Sequence, residues 1–206
     1  MINLIVKFTT TLEGRATFME ALLENRKGAQ QEEGFKGMNL FVDTKNPNII
    51  FAYDSWENEA ASESHKKTAH ASNMMKVAES TLACAPDILI LGETNPAPVP
   101  AKTPNSEDKL FIIFFIFKIK DGYRERLIER FGIHIENTRK EKGNLLFDLY
   151  TVEGQNDTLV VYEHWRKEAD VWEIHMKQPY SEITGALMNE AVVGGLEQYM
   201  NFVTQI

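Results

Sequence analysis

Two stretches of this chain are near copies of one another. Tyr53–Ala60 reads YDSWENEA and Tyr162–Ala169 reads YEHWRKEA, a constant 109 residues later. Tyr, an acid, Trp, Glu and Ala recur in step as Tyr53/Tyr162, Asp54/Glu163, Trp56/Trp165, Glu59/Glu168 and Ala60/Ala169. Gly34 and Gly143 keep the same offset, whereas Gly14 and Gly122 lie 108 apart. A histidine follows each copy, His65 nine residues after its Trp and His175 ten after its own. Self-similarity over this distance is the mark of a tandem duplication, so the fold must be assembled from two like units. With 206 residues in all, each unit is near the common size of a compact domain.

Each half reads β-α-β-β-α-β. In the first, residues 2–10 are rich in Ile, Leu, Val, Phe and Thr and predict a strand. Gly14 precedes a helix to about residue 31 that carries Phe18, Ala21 and Leu22 at helical spacing. Strands follow at 35–43 and 49–56 around the turn residues Lys45-Asn46-Pro47-Asn48. Helical segments over 57–83 and a last strand, DILILGE, complete the half. The second half repeats the order: strand 110–119, helix 123–141, strands 145–152 and 158–165, helices over 167–192, strand 196–204. This is the ferredoxin-like split βαβ unit with an antiparallel sheet.

The run LFIIFFIF at Leu110–Phe117 does not alternate apolar with polar, as a sheet covered on one face would. Both of its faces are therefore expected to be dry, helices covering one and the sheet of the sister half the other. The expected fold is α+β, two ferredoxin-like repeats whose antiparallel sheets pack as an intramolecular dimeric α/β-barrel. Between the halves, Thr94–Asp108 holds four of the seven prolines and predicts a semi-rigid, extended strap. The expected organisation is repeat one at 1–93, linker at 94–108 and repeat two at 109–206.

Charge and motifs narrow the partners. A net charge of -8 has the wrong sign for a nucleic-acid partner and suits plain solubility. The longest apolar run, eight residues, is too short to cross a bilayer as a helix, so no membrane partner is expected. MINLIVKF is interrupted by Lys7 and lacks a basic start and a small-residue cleavage site, which makes the cytoplasm the expected compartment. The single cysteine, Cys84, excludes an internal disulfide and, in the apolar LACAP, is expected to be a buried structural thiol. HxxxH spacing is absent, and His65 and His70 have no Cys or carboxylate at ligand spacing, so no metal site is expected. There is neither a G-x-S-x-G elbow nor a Gly-rich phosphate loop.

EEGFKGMNLF, YDSWENEA and HKKTAH of the first half, with their looser second-half counterparts, resemble the antibiotic biosynthesis monooxygenase family. The likeness covers both halves and leaves out the linker. In the second half His175 is one residue late, and Tyr180 stands where the first has His70. The resemblance implies dimeric α+β barrel domains and a choice of chemistries: cofactor-independent oxygenation of quinols and hydroxylated aromatics, haem degradation, or small-molecule isomerisation. Haem-degrading members carry an Asn on the first strand and a Trp and a His on later helices. Those positions here are Lys7 (Phe115 in the second copy), His65 and about Met75, which disfavours haem, although Trp172 could sit close by.

The oxygenase reading needs no cofactor, because an electron-rich substrate anion can itself reduce dioxygen. The protein must supply an apolar pocket, a base and hydrogen bonds to the anion. Unperturbed imidazole titrates near neutrality, which makes His65 the candidate catalytic base. Asn39, Trp56, His70 and Lys7 are the candidate substrate-binding residues. His65 and His70 are five residues apart and share a face only if the helix breaks between them, around Thr68-Ala69. Trp56 and Trp165 also fit core anchors, Tyr53 and Tyr162 fit packing, and His134 and Asn137, among charges in HIENTRKEK, fit a solvated face. Because the first copy has the more polar set and the second has Phe111, Phe114, Phe115 and Phe117 on its first strand, the active pocket is expected in the first copy.

The function expected is thus cofactor-independent monooxygenation of a small quinol-like or polyphenolic substrate with dioxygen. The alternative is a non-catalytic or isomerase-type module that binds a small molecule. The chain is expected to be a pseudo-dimer in itself, open to further homodimerisation.

Overall fold

A computed structural model describes residues 1–206. Its elements are β1 (Ile2–Thr9), α1 (Arg15–Ala29), β2 (Phe35–Asp43), β3 (Ile49–Trp56), α2 (Glu59–His65), α3 (Ala69–Thr81) and β4 (Asp87–Glu93), followed by β5 (Phe111–Lys118), α4 (Arg124–Thr138), β6 (Asn144–Val152), β7 (Gln155–Trp165), α5 (Pro179–Ala191) and β8 (Met200–Gln205). A π-helical turn, Asp170–Ile174, and a 3-10 turn, His175–Lys177, stand in the second half where α2 stands in the first. The chain divides into two compact units, Met1–Leu91 with Gln205–Ile206, and Gly92–Thr204. Hydrogen bonding runs through the strands in the order β4-β1-β3-β2 in the first unit and β8-β5-β7-β6 in the second, every pair antiparallel. No helix is long and apolar enough to cross a membrane.

In the first unit β1 lies between β3 and β4, and β2 pairs with the other edge of β3, all antiparallel. The strand ends and helix starts follow from local chemistry. Asp43 accepts the backbone N–H groups of Lys45 and Asn46, at 2.9 and 2.8 Å, and so closes the β2–β3 turn. Asn58 caps α2 by accepting from Ala61 N at 2.9 Å, and Thr68 caps α3 from Ala71 N. Gly34, at φ +79°, supplies the left-handed turn between α1 and β2 that a side chain would oppose. Phe8, Phe18, Leu22, Leu40, Ile50 and Trp56 bury their side chains between sheet and helices. Each such burial contributes about 2 kcal/mol.

The second unit repeats this with β5 between β7 and β8, and β6 on the far edge of β7. Ile113, Phe115 and Phe117 of β5 join Phe131, Phe147 and Trp165 in its core, while Ile112 and Phe114, on the opposite face, are buried too. Both faces of that strand are dry, as its unbroken apolar run requires. β7 begins at Gln155, three residues before the start expected from sequence. Glu153-Gly154 makes a two-residue turn with Gly154 at φ +73°, so pairing starts at Val152↔Gln155. The proline-rich segment is fastened to this unit: Lys102 N bonds Leu145 O, its Nζ bonds the carbonyls of Arg139 and Asn144, and Asp108 accepts Arg166 at 2.5 Å.

One expectation fails at a turn. Cys84 is exposed, because LACAP forms the open bend after α3 rather than part of the core.

Candidate active site

Each unit places a histidine over its core tryptophan and ties it to a glutamate. His65 ends α2 with its ring 4.7 Å from that of Trp56, and its Nδ1 lies 2.7 Å from Glu32 Oε1. His175 follows the π-helical turn, 4.7 Å from Trp165, with Nδ1 2.9 Å from Glu141 Oε1. A carboxylate on Nδ1 fixes the tautomer that protonates this nitrogen and leaves the lone pair on Nε2. The helix does break after His65: α2 stops there, Thr68 starts α3, and His70 comes round so that its Nε2 is 2.7 Å from the same Glu32 oxygen. In the second unit the hydroxyl of Tyr180 donates to Glu141 instead. Burial first, then Glu141, pushes the Tyr180 pKa up.

The extra residue before His175 has a structural cause. Glu59-Ala60 and Glu168-Ala169 are in register, and the five-residue π-helical turn takes up the one residue that follows. A π turn is an α-helix with one residue inserted, so His175 reaches Glu141 as His65 reaches Glu32.

A partly open cavity of about 90 Å³ lies in the second unit, between sheet and helices. Phe115, Phe147, Val161 and Met188 give it apolar walls, and His134, Glu163, His175, Ser181 and Thr184 face it with polar atoms. His175 Nε2 is 3.5 Å from Ser181 Oγ. Trp172, Met176, Leu196 and Met200 also line it. Glu163 is buried; burial pushes its pKa up, against the pull of His175 and of Trp165 Nε1, which donates to it at 2.6 Å. Burial, then His175 and Arg130, hold His134 at a pKa of about 3, so it stays neutral and bonds Thr184 Oγ1 through Nδ1 at 3.0 Å. The corresponding acid of the first unit, Asp54, is raised to about 7 by burial, and its Oδ1 has no hydrogen-bond partner.

The antibiotic biosynthesis monooxygenase family model matches residues 1–77 and 110–182. The chain belongs to that family. Two solved structures named as putative monooxygenases share its fold: one from Lactobacillus acidophilus NCFM (TM-score 0.74, 14% identity, 99% of this chain and 93% of that one) and one from Fusobacterium nucleatum (TM-score 0.80, 14% identity, 99% and 90%). A third, an anthrone oxidase-like protein, aligns over 100% of this chain and 91% of its own at TM-score 0.70 and 12% identity. No curated protein matches the chain in sequence.

Of the candidates read from the sequence, Trp56, His65 and His70 come together and Lys7 and Asn39 do not. Met38 and Leu40 pack with Trp56, so Asn39 between them points to the other face of β2, where it accepts from Gln205 Nε2 at 3.2 Å. Lys7 likewise alternates with Val6 and Phe8 and lies over the Phe51 ring, 5.8 Å from its centroid. His134 is a second correction: it is buried in the cavity rather than on a solvated face, whereas its neighbour Asn137 is half-buried and bonds Ile133 O.

Glu32 and Glu141 are not singled out by the sequence and His134 is misplaced by it, yet each leaves a signal there. Glu32 and Glu141 stand two residues before Gly34 and Gly143, at the same offset of 109. His134 continues the stripe Leu127–Phe131 at helical spacing, as Asn25 continues Phe18–Leu22 in the first copy. The expectation of no carboxylate near His65 and His70 held along the sequence alone; Glu32 arrives from the end of α1 to lie between them.

Proposed function

We propose that this protein is a cofactor-independent monooxygenase of a small quinol-like or polyphenolic substrate, and that the reaction takes place in the second unit, with His175 as base. The observation that carries the reading is the Glu141–His175 pair with Nε2 turned toward an apolar cavity. Glu141 holds the ring in one tautomer, so Nε2 accepts the proton of a substrate hydroxyl. The resulting anion is the reductant: a ring C–H of the quinol becomes C–OH with one oxygen atom of dioxygen, and the two hydrogens the quinol gives up in becoming a quinone leave with the other as water. The apolar walls favour this, since a charge-delocalised aromatic anion is poorly solvated there and gives up an electron readily. The neutral His134 and Ser181 are hydrogen-bonding groups for the substrate's oxygens.

The base moves from His65, expected from sequence, to His175 because the cavity opens at the second histidine. As it stands the cavity holds about three waters, so an aromatic ring enters only when its mouth widens. Trp172, 37% exposed, and the flexible side chains of Met176 and Met200 are the groups that give way.

The test is oxygen uptake with a panel of quinols and hydroxylated aromatics, set against a no-protein blank because such compounds autoxidise. Uptake above blank that collapses in His175→Ala and survives in His65→Ala is the expected result. Loss in His65→Ala with full activity in His175→Ala overturns the placement, and turnover of a panel member without oxygen uptake overturns the oxygenase reading in favour of an isomerase.

A further inference from the structure

The two copies differ most at the partner of the glutamate. In the first unit Glu32 Oε1 is 2.7 Å from both His65 Nδ1 and His70 Nε2, and the three ligand atoms lie within 4.8 Å of one another. In the second unit the place of His70 is taken by Tyr180. We propose that Glu32, His65 and His70 form a binding site for a divalent first-row transition metal, present in the first copy only.

The donor set fits such an ion. Two imidazoles and one carboxylate are the ligands that zinc, cobalt(II) and iron(II) share, and three protein ligands leave a position open to water. In a tetrahedral site with bonds of about 2.0–2.1 Å the ligand atoms stand roughly 3.3 Å apart. The cluster reaches that spacing when the carboxylate withdraws a little and the two rings close by about an ångström or less each. His70 is the most open of the three, its side chain 26% exposed, so the vacant position faces water.

A second observation points the same way. Metal on His65 Nδ1 requires the proton to move to Nε2, and a ligating histidine needs an acceptor for that N–H. Asn25 is in place for it. This residue is buried, its amide lies 3.5 Å from His65 Nε2, and its Oδ1 has no hydrogen-bond partner. Turning the amide over presents Oδ1 to the Nε2–H and satisfies both groups. The second copy has His134 at this position, bonded through Nδ1 to Thr184 Oγ1, in place of an amide.

Room for His70 is also provided. A Cβ at Gly28 would lie 2.4 Å from its ring, so α1 carries glycine under the imidazole despite the cost of glycine in a helix. Asn137 stands at the equivalent place in the second copy. The site lies in the first unit and does not depend on the His175 reading, so the two succeed or fail separately.

The experiment is titration of the purified full chain with Co2+, followed by absorption in the visible, and with Zn2+, followed by melting temperature. A Cys84→Ser background keeps the exposed thiol out of the measurement. One ion per chain is expected, together with a rise in melting temperature. His70→Tyr, the residue that the sister copy already accommodates, should weaken binding by at least about 100-fold, and Asn25→Ala by about 10-fold. Glu32→Gln, nearly the same shape as the native residue, is the second variant if His70→Tyr lowers the metal-free melting temperature. Absence of a site tighter than about 1 mM, or one ion per chain that persists in both His70→Tyr and Glu32→Gln, overturns the proposal.

Discussion

His175 Nδ1 lies 2.9 Å from Glu141 Oε1, the contact that His65 makes with Glu32 at 2.7 Å, although the second histidine comes one residue later in its copy. Two different helical geometries converge on one pair. If the pair orients a base, then Glu141→Gln, which keeps the shape and removes the charge, should lower kcat by roughly 100-fold or more with little change in KM, and His175→Ala by at least as much. Unchanged kcat in Glu141→Gln would mean the contact only braces the fold.

Deleting Ile174, exposed at the end of the π-helical turn, restores the residue count of the first copy. An ordinary helical turn should form, as in α2, and the protein should still fold, with a melting temperature within about 5 °C of the parent. Trp172 would be rotated away from the cavity mouth, so turnover should fall while the fold persists. Thermal melts and oxygen uptake on the same preparation separate the two effects.

Asp54 gives a stability signature on the neutral side. Its carboxyl has a folded pKa of about 7 against 3.8 for the free group, because burial disfavours the anion. Between those values the unfolded chain has lost the proton and the folded chain retains it. Stability from this group is therefore full below about pH 3.8, declines as pH rises, and is lost above about 7. The total is on the order of 4 kcal/mol. Asp54→Asn should flatten that decline in a series of denaturant melts from pH 4 to 8.

Two histidines act in the opposite sense. Burial lowers His134 to about 3 and His164 to about 4 from 6.5. Their contribution is whole above pH 6.5 and drains away as pH falls toward the folded values, since the unfolded chain takes up protons first. At pH 5 the loss is about 2 kcal/mol for each. His134→Asn and His164→Ser, the residues found at the equivalent positions of the first copy, should together make the acid limb shallower. An acid limb no shallower in the double variant would assign it to other groups.

The duplication made the architecture legible from the chain alone. Offsets between tryptophans, glycines and the YxxWxxEA runs put strands and helices within a few residues of their places, because each signal appears twice. The strand start at Gln155 was missed since a two-residue turn at Glu153-Gly154 extends pairing farther than apolar patterning shows. The site was less legible. Lys7 and Asn39 follow the strand alternation to the wrong face for His65, a period-two consequence that residue type alone does not reveal. Glu32 and Glu141 sit at a helix end amid other charges, and only their distance from the repeated glycines marks them out. His134 looked polar by its neighbours in sequence and is apolar by its neighbours on the helix.

Gln205 and Ile206 belong to the first unit: Ile206 N bonds Leu40 O, and Arg26 Nη1 bonds Ile206 O at 2.9 Å. Everything between Leu91 and these residues must be synthesised before they can dock. At roughly 5–20 residues per second a ribosome needs roughly 5–20 s for that stretch. During this interval β2 has a bare edge, the kind of surface that recruits a stray strand from another nascent chain. Crowded polysomes are therefore the setting in which this protein is most exposed to mispairing, and slow translation of its second half lengthens that exposure.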